Sequence, residues 1–165
     1  MARGELLHLA RRLRELLTDT LFVVNDHVDI AILSEADGVH LGPDDLSVAA
    51  ARRVAADRLV VGASASSPER ALEAVAAGAD YLGTGPAFAT PIKAEKKVLG
   101  AEGVAAIAKI VNVPVFAIGG IDASNIYQLI AAGLHRACVI RAVGDAADPE
   151  RATRELRAML DAAEP

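Results

Sequence analysis

The chain has 165 residues, 53% of them hydrophobic and 24% charged, with a formal net charge of −5. That is one domain's worth of core, spanning 1–165, and too acidic for a nucleic-acid surface. The single cysteine, Cys138, cannot close an internal disulfide, which suits a reducing cytoplasm. No apolar run approaches the ~20 residues that a membrane span needs, and the start, Met1 to Leu7, reads as amphipathic rather than as a leader.

Leu6, Leu9, Ala10, Leu13, Leu16 and Leu17 share one face at a 3.6-residue period and predict a first helix. Leu21–Asn25 follows as a strand, a short helix covers about 27–35, and Gly38–Leu41 is the second strand. A helix over about 46–57 leads to a third strand, Leu59–Ala63. Ser67-Pro68 reads as an N-cap followed by proline at the first helical position, opening a helix that ends at Gly78. Asp80–Thr84, Val115–Ile118 and Ala137–Ile140 are the remaining strands, with helices near 101–110, 123–132 and 148–162. Gly78 and Gly133 fit the left-handed position that follows a helix C-terminus.

Strand–helix alternation of this regularity means parallel βαβ units. Gly119-Gly120 follows the fifth strand and Arg141-Ala142 the sixth. In (β/α)₈ barrels the loops after strands seven and eight frequently build a phosphate site. The expected fold is therefore an α/β, TIM-type barrel lacking its first two strands: six parallel strands with helices outside.

Reactive residues of such barrels lie at the C-terminal ends of strands. Those ends carry Asn25-Asp26-His27, Gly42-Pro43-Asp44-Asp45, Ser64, the stretch from Gly85 to Lys93, Gly119-Gly120 and Ile140-Arg141. Acids, a hydroxyl, a lysine and backbone amides suit a Mg²⁺-bound diphosphate plus a second phosphate. Asp26 and Asp45, with Asp44 beside the latter as the alternative, read either as metal ligands or as helix caps. The loop from Gly85 to Gly100 concentrates Lys93, Lys96 and Lys97, and reads either as a lid carrying a lysine or as a solvated surface segment. Gly119-Gly120 can turn backbone N–H groups towards a phosphate, or serve an ordinary turn. His8 and His40 read as structural, and neither zinc-ligand spacing nor a P-loop is present.

Four segments, Val23-Val-Asn-Asp-His-Val-Asp-Ile-Ala31, Ala36-Asp-Gly-Val-His-Leu-Gly42, Ala79-Asp-Tyr-Leu-Gly-Thr-Gly-Pro86 and Ala117-Ile-Gly-Gly-Ile121, together resemble thiamine-phosphate synthases in order and spacing. The resemblance implies a transferase that joins hydroxymethylpyrimidine diphosphate to a thiazole phosphate with release of diphosphate. It implies Asp26 and Asp45 as Mg²⁺ ligands, with Asn25 on the pyrimidine diphosphate and Ser64 and Lys93 as further diphosphate contacts and catalytic groups. It assigns Thr90, Ile92, Gly119, Gly120, Ile140 and Arg141 to the thiazole phosphate. Three departures accompany it: Pro43 stands for the family's usual Gln, Arg141 for a common Ser, and the family's Gln-x-Arg-x-Lys strand would precede Met1. The sister thiazole tautomerases are a second possibility, although Ser66 stands where their catalytic His would fall. A third is a non-catalytic, phosphate-binding remnant of the barrel. Two missing strands would also leave exposed edges at Leu21–Asn25 and Ala137–Ile140, and so favour a homo-oligomer.

Overall fold

The computed structural model describes residues 1–90 and 97–162. Helices and strands alternate along the chain, and the residues fall into two compact units. The first comprises Met1–Ser64 with Leu72–Leu82; the second comprises Ala65–Ala71 with Gly83–Pro165.

The first unit contains α1 (Arg3–Leu16), β1 (Val23–Asn25), α2 (Val28–Leu33), β2 (Gly38–Leu41), α3 (Val48–Ala55) and β3 (Val60–Ser64). A single 3₁₀ turn, Ala56–Arg58, follows α3. β1 and β2 pair in parallel with Val24 opposite Val39, and β2 and β3 with Val39 opposite Val61. Val24, Val39, Leu41 and Val61 are buried, as are Val28, Ile30 and Ala31 of α2 and Ala51 and Ala55 of α3. Small and β-branched side chains let helices seat closely on parallel strands, so the alanine-rich composition serves the packing directly.

The N-terminal ends of these strands are fastened by a device that occurs twice. Asp37 donates its own N–H to the carbonyl of Phe22 (2.9 Å), and its carboxylate accepts the Phe22 N–H (2.7 Å). Arg14 of α1 pairs with that carboxylate at 2.7 Å. Asp80 repeats the arrangement on Val61, with its N–H on the Val61 carbonyl at 2.8 Å and its carboxylate on the Val61 N–H at 2.7 Å. Arg52 of α3 is its ion-pair partner, and also donates to the carbonyls of Leu59 and Gly78, both at 2.9 Å.

α4 (Pro68–Ala76) begins where the Ser67-Pro68 pair predicts, and the Arg70 N–H reaches Ser67 Oγ at 3.3 Å. β4 (Tyr81–Thr84) then divides, with Tyr81 and Leu82 in the first unit and Gly83 and Thr84 in the second. The second unit continues with α5 (Gly100–Ala108), β5 (Val115–Ile118), α6 (Ile126–Ala131), β6 (Ala137–Cys138), α7 (Arg141–Gly144) and α8 (Pro149–Asp161). β5 and β6 are parallel, with Ala117 opposite Ala137. Val104, Ile107, Ala117, Ile126 and Leu129 form its core. Gly78 and Gly133 have φ of 99° and 81°, as their places after α4 and α6 require.

The predicted first helix forms as α1, and of its apolar face only Ala10 is fully buried, while Leu9, Leu13 and Leu16 are exposed. Within its unit the helix packs on α2, and one neighbouring helix covers only part of an apolar stripe. β6 ends at Cys138 rather than Ile140, because the chain turns into the unforeseen α7. Ile140 is consequently the residue before that helix, and Arg141 its first residue, rather than the end of a strand. Among the described residues, no helix is long and apolar enough to cross a membrane.

Candidate active site

In the first unit the candidate site residues lie at and just beyond the ends of β1, β2 and β3. Asn25 is the last residue of β1, and Asp26 follows with φ of +66°. A left-handed backbone at a non-glycine residue is uncommon and costs of order 1 kcal/mol, with aspartate among the residues that tolerate it best. The conformation is held by the Asp26 N–H on the His40 carbonyl (2.8 Å) and by Asn25 Nδ2 donating to Asp26 Oδ1 (2.6 Å). The N-cap position of α2 falls to His27, whose side chain makes no capping bond, and Asp26 stands one residue before it.

Asp45 lies four residues beyond β2, and its Oδ2 accepts the Gly42 N–H at 2.7 Å. It does not cap α3; Ser47 does, accepting the Ala50 N–H at 3.3 Å. Neither acid occupies the N-cap position of the helix that follows it, and both lie on loops that leave the same end of paired strands. They are hard oxygen donors. Among the described residues no three His, Cys, Asp or Glu side chains converge on one point. Two carboxylates completed by ligand oxygens and water are the set that Mg²⁺ takes, so these residues fit that ion better than an all-protein metal cage.

Ser64 closes β3 and is exposed, with Oγ 3.0 Å from His40 Nε2. His40 Nδ1 lies 3.2 Å from the Tyr81 hydroxyl. Read from the sequence, His40 was a residue of the strand interior; in the structure it touches a strand-end hydroxyl. The missed signal was the tyrosine of Ala79-Asp-Tyr, whose reach to β2 only the sheet order reveals.

In the second unit, Gly119 and Gly120 leave β5 with φ of 100° and 65°. A Cβ on Gly119 would lie 2.8 Å from Pro86, and one on Gly120 2.5 Å from the Ala89 carbonyl oxygen. The pair is therefore demanded first by the close approach of the segment after β4. Ala87 and Phe88 donate to the carbonyls of Ile118 and Gly119, each at 2.9 Å, and Asn125 Nδ2 occupies the Gly120 carbonyl at 2.8 Å. Thr90 is half-buried on this same segment. Ile92 and Lys93 lie outside the described residues. Ile140 is 63% exposed, and Arg141 is engaged at 3.3 Å with Asp145, the residue that follows α7.

The family model described as thiamine monophosphate synthase matches residues 1–143. The chain belongs to the thiamine monophosphate synthase family. Among curated relatives, a thiamine-phosphate synthase from Gloeobacter violaceus is 49% identical over 149 residues, covering 89% of this chain and 44% of its own. One from Synechocystis is 43% identical, covering 94% of this chain and 46% of its own. The chain thus spans less than half the length of these two members of the thiamine monophosphate synthase family, and 76% of a 42%-identical relative from Pyrococcus abyssi. A solved thiamine phosphate pyrophosphorylase from Pyrococcus furiosus superposes with a TM-score of 0.93 at 40% identity, covering all of this chain and 80% of that one. A 3-hexulose-6-phosphate synthase at 24% identity, with a TM-score of 0.74, shares the fold alone.

Proposed function

We propose that this chain joins hydroxymethylpyrimidine diphosphate to a thiazole phosphate, giving thiamine phosphate and diphosphate. The observation that carries the proposal is the group at the strand ends of the first unit: Asn25, a left-handed Asp26, Asp45, and an exposed Ser64. The similarity to thiamine-phosphate synthases from Gloeobacter violaceus and Pyrococcus abyssi supports the same reading.

The chemistry asked of these residues is departure of a diphosphate. The bond between the pyrimidine methylene carbon and the diphosphate oxygen breaks, and its electron pair leaves with the diphosphate. The thiazole nitrogen then donates its lone pair to that carbon and forms the new C–N bond. Asp26 and Asp45 are the residues to hold Mg²⁺, which when bound supplies positive charge against the diphosphate oxygens. Asn25 and Ser64 donate hydrogen bonds to the same oxygens, and Lys93 adds a cation. Backbone N–H groups at Gly119 and Gly120 suit the thiazole phosphate, to which the resemblance also assigns Thr90, Ile92, Ile140 and Arg141. No covalent enzyme intermediate is required, so catalysis is electrostatic and positional. On this reading the six strands are strands three to eight of a single (β/α)₈ domain, and the protein works in the cytoplasm.

The test supplies both substrates and Mg²⁺ and measures diphosphate and thiamine phosphate together. Asp26→Ala should lower turnover by well over ~10-fold, the scale of a lost electrostatic contact in such sites. Binding of thiazole phosphate with no diphosphate release by the unaltered chain would replace the proposal with a phosphate-binding protein.

A further inference from the structure

His40 occupies the middle of a hydrogen-bonded chain that runs from Tyr81 to Ser64, inside the first unit. Its backbone lies opposite Gly62 in the β2–β3 register. A Cβ on Gly62 would fall 2.0 Å from Tyr81 Cζ, so the glycine makes the room in which the tyrosine ring lies. The imidazole and phenol rings stand 5.5 Å apart at a 32° tilt. Each imidazole nitrogen then has an oxygen partner: the Tyr81 hydroxyl at 3.2 Å on Nδ1, and Ser64 Oγ at 3.0 Å on Nε2.

A neutral imidazole carries one N–H and one lone pair, so this chain has a direction. A phenol is more acidic than an aliphatic alcohol and is the better donor, whereas its oxygen is the poorer acceptor. Tyr81 therefore donates to Nδ1, which places the ring hydrogen on Nε2. Nε2–H donates to Ser64 Oγ and uses one of its lone pairs. The serine hydrogen is then left to point away from His40, off the end of β3.

We propose that His40 is a positioning residue that, set by Tyr81, fixes Ser64 as a hydrogen-bond donor to an anionic oxygen. In the opposite direction His40 would accept from Ser64 and act as its base, making Ser64 a nucleophile; the Tyr81 contact works against that. The identity of the anion rests on the reading of Ser64 as a diphosphate contact. The direction of the chain does not.

Long-range ¹⁵N–¹H NMR of the ligand-free chain reads the His40 tautomer, with the signal assigned by its loss in His40→Gln. The expected result is an Nε2–H imidazole, giving way to a tautomer mixture in Tyr81→Phe, which keeps the ring over Gly62. An Nδ1–H imidazole would overturn the proposal, and so would a Tyr81→Phe spectrum unchanged at His40. Affinity for inorganic pyrophosphate with Mg²⁺ supplies the second measurement. Ser64→Ala and His40→Leu should each weaken it by about tenfold, the worth of one hydrogen bond to a charged group. The double variant should lose no more than either, and His40→Gln, whose amide can donate in place of Nε2–H, should retain most of the affinity. Independent, multiplying losses would sink the coupling. Unchanged affinity in Ser64→Ala, beside an Nε2–H imidazole, would instead remove the diphosphate contact and leave the Tyr81–His40–Ser64 chain standing.

Discussion

Thr84 closes β4 with no surface exposed, and its Oγ1 has no hydrogen-bond partner among the described residues. A buried hydroxyl left unsatisfied costs about 1–3 kcal/mol relative to one that is paired. Thr84→Val removes the hydroxyl and keeps the branched shape, so it should raise stability by about 1 kcal/mol, or roughly 2–4 °C in melting temperature for a chain of this size. A lower melting temperature in the variant would mean that the hydroxyl has a partner in the folded protein. At this scale the sequence was legible where a candidate residue is defined by its chain position and opaque where it is defined by pairing. Asn25, Asp26, Asp45 and Ser64 could be picked out because strand ends can be counted along a chain. His40 could not, because its role needs Tyr81, 41 residues away, and the empty space at Gly62. The two glycines after β5 were singled out for a phosphate, and the duty the structure shows for them is steric, against Pro86 and Ala89.

Between elements, the paired Asp37 and Asp80 clamps do what loops of this length cannot do alone. Each carboxylate and its own N–H bracket one residue, Phe22 just before β1 or Val61 within β3, while an arginine from a helix completes the fastening. The Phe22 N–H, and then the Arg14 guanidinium, hold the Asp37 carboxyl below its usual range. A group whose folded pKa is depressed contributes stability above its unfolded value, near pH 4, and loses it as pH falls through the folded value. Asp37→Asn should therefore cost about 1 kcal/mol at neutral pH, a modest figure because the pair is partly solvent-screened. It should also flatten the fall in stability below about pH 4. Denaturant titrations of both proteins from pH 7 downward measure this, and parallel curves would show that Asp37 is not the titrating group. Most elements were readable: β2 and β5 fall where alternation and β-branching put them, and the other strands shift by a residue or two. The failure at β6 has a physical cause. Ala137-Cys-Val-Ile140 has strand-like side chains, but it finds only two residues of pairing with β5 before α7 begins.

For the whole molecule, the terminal strands matter most. Among the described residues, β1 pairs only with β2, and β6 only with β5. Leu21 beside β1 and Ile140 beyond β6 are 71% and 63% exposed. A strand with one open side and apolar flanks is a template for another chain. Residues 1–165 on their own should therefore associate, with a sedimentation coefficient that rises with concentration; a monomer at every concentration would refute this. The two compact units carry a different consequence, because the polypeptide passes between them after Ser64, after Ala71 and again after Leu82. A nascent chain that has left the ribosome as far as Ser64 still lacks Leu72–Leu82, and with it both the Asp80 carboxylate that fastens β3 and the Tyr81 hydroxyl beside His40. Synthesis must therefore run to Leu82 before the first unit can be complete, and by then Ala65–Ala71 is already waiting for a second unit that does not yet exist. No single cut in the gene would deliver two self-sufficient halves.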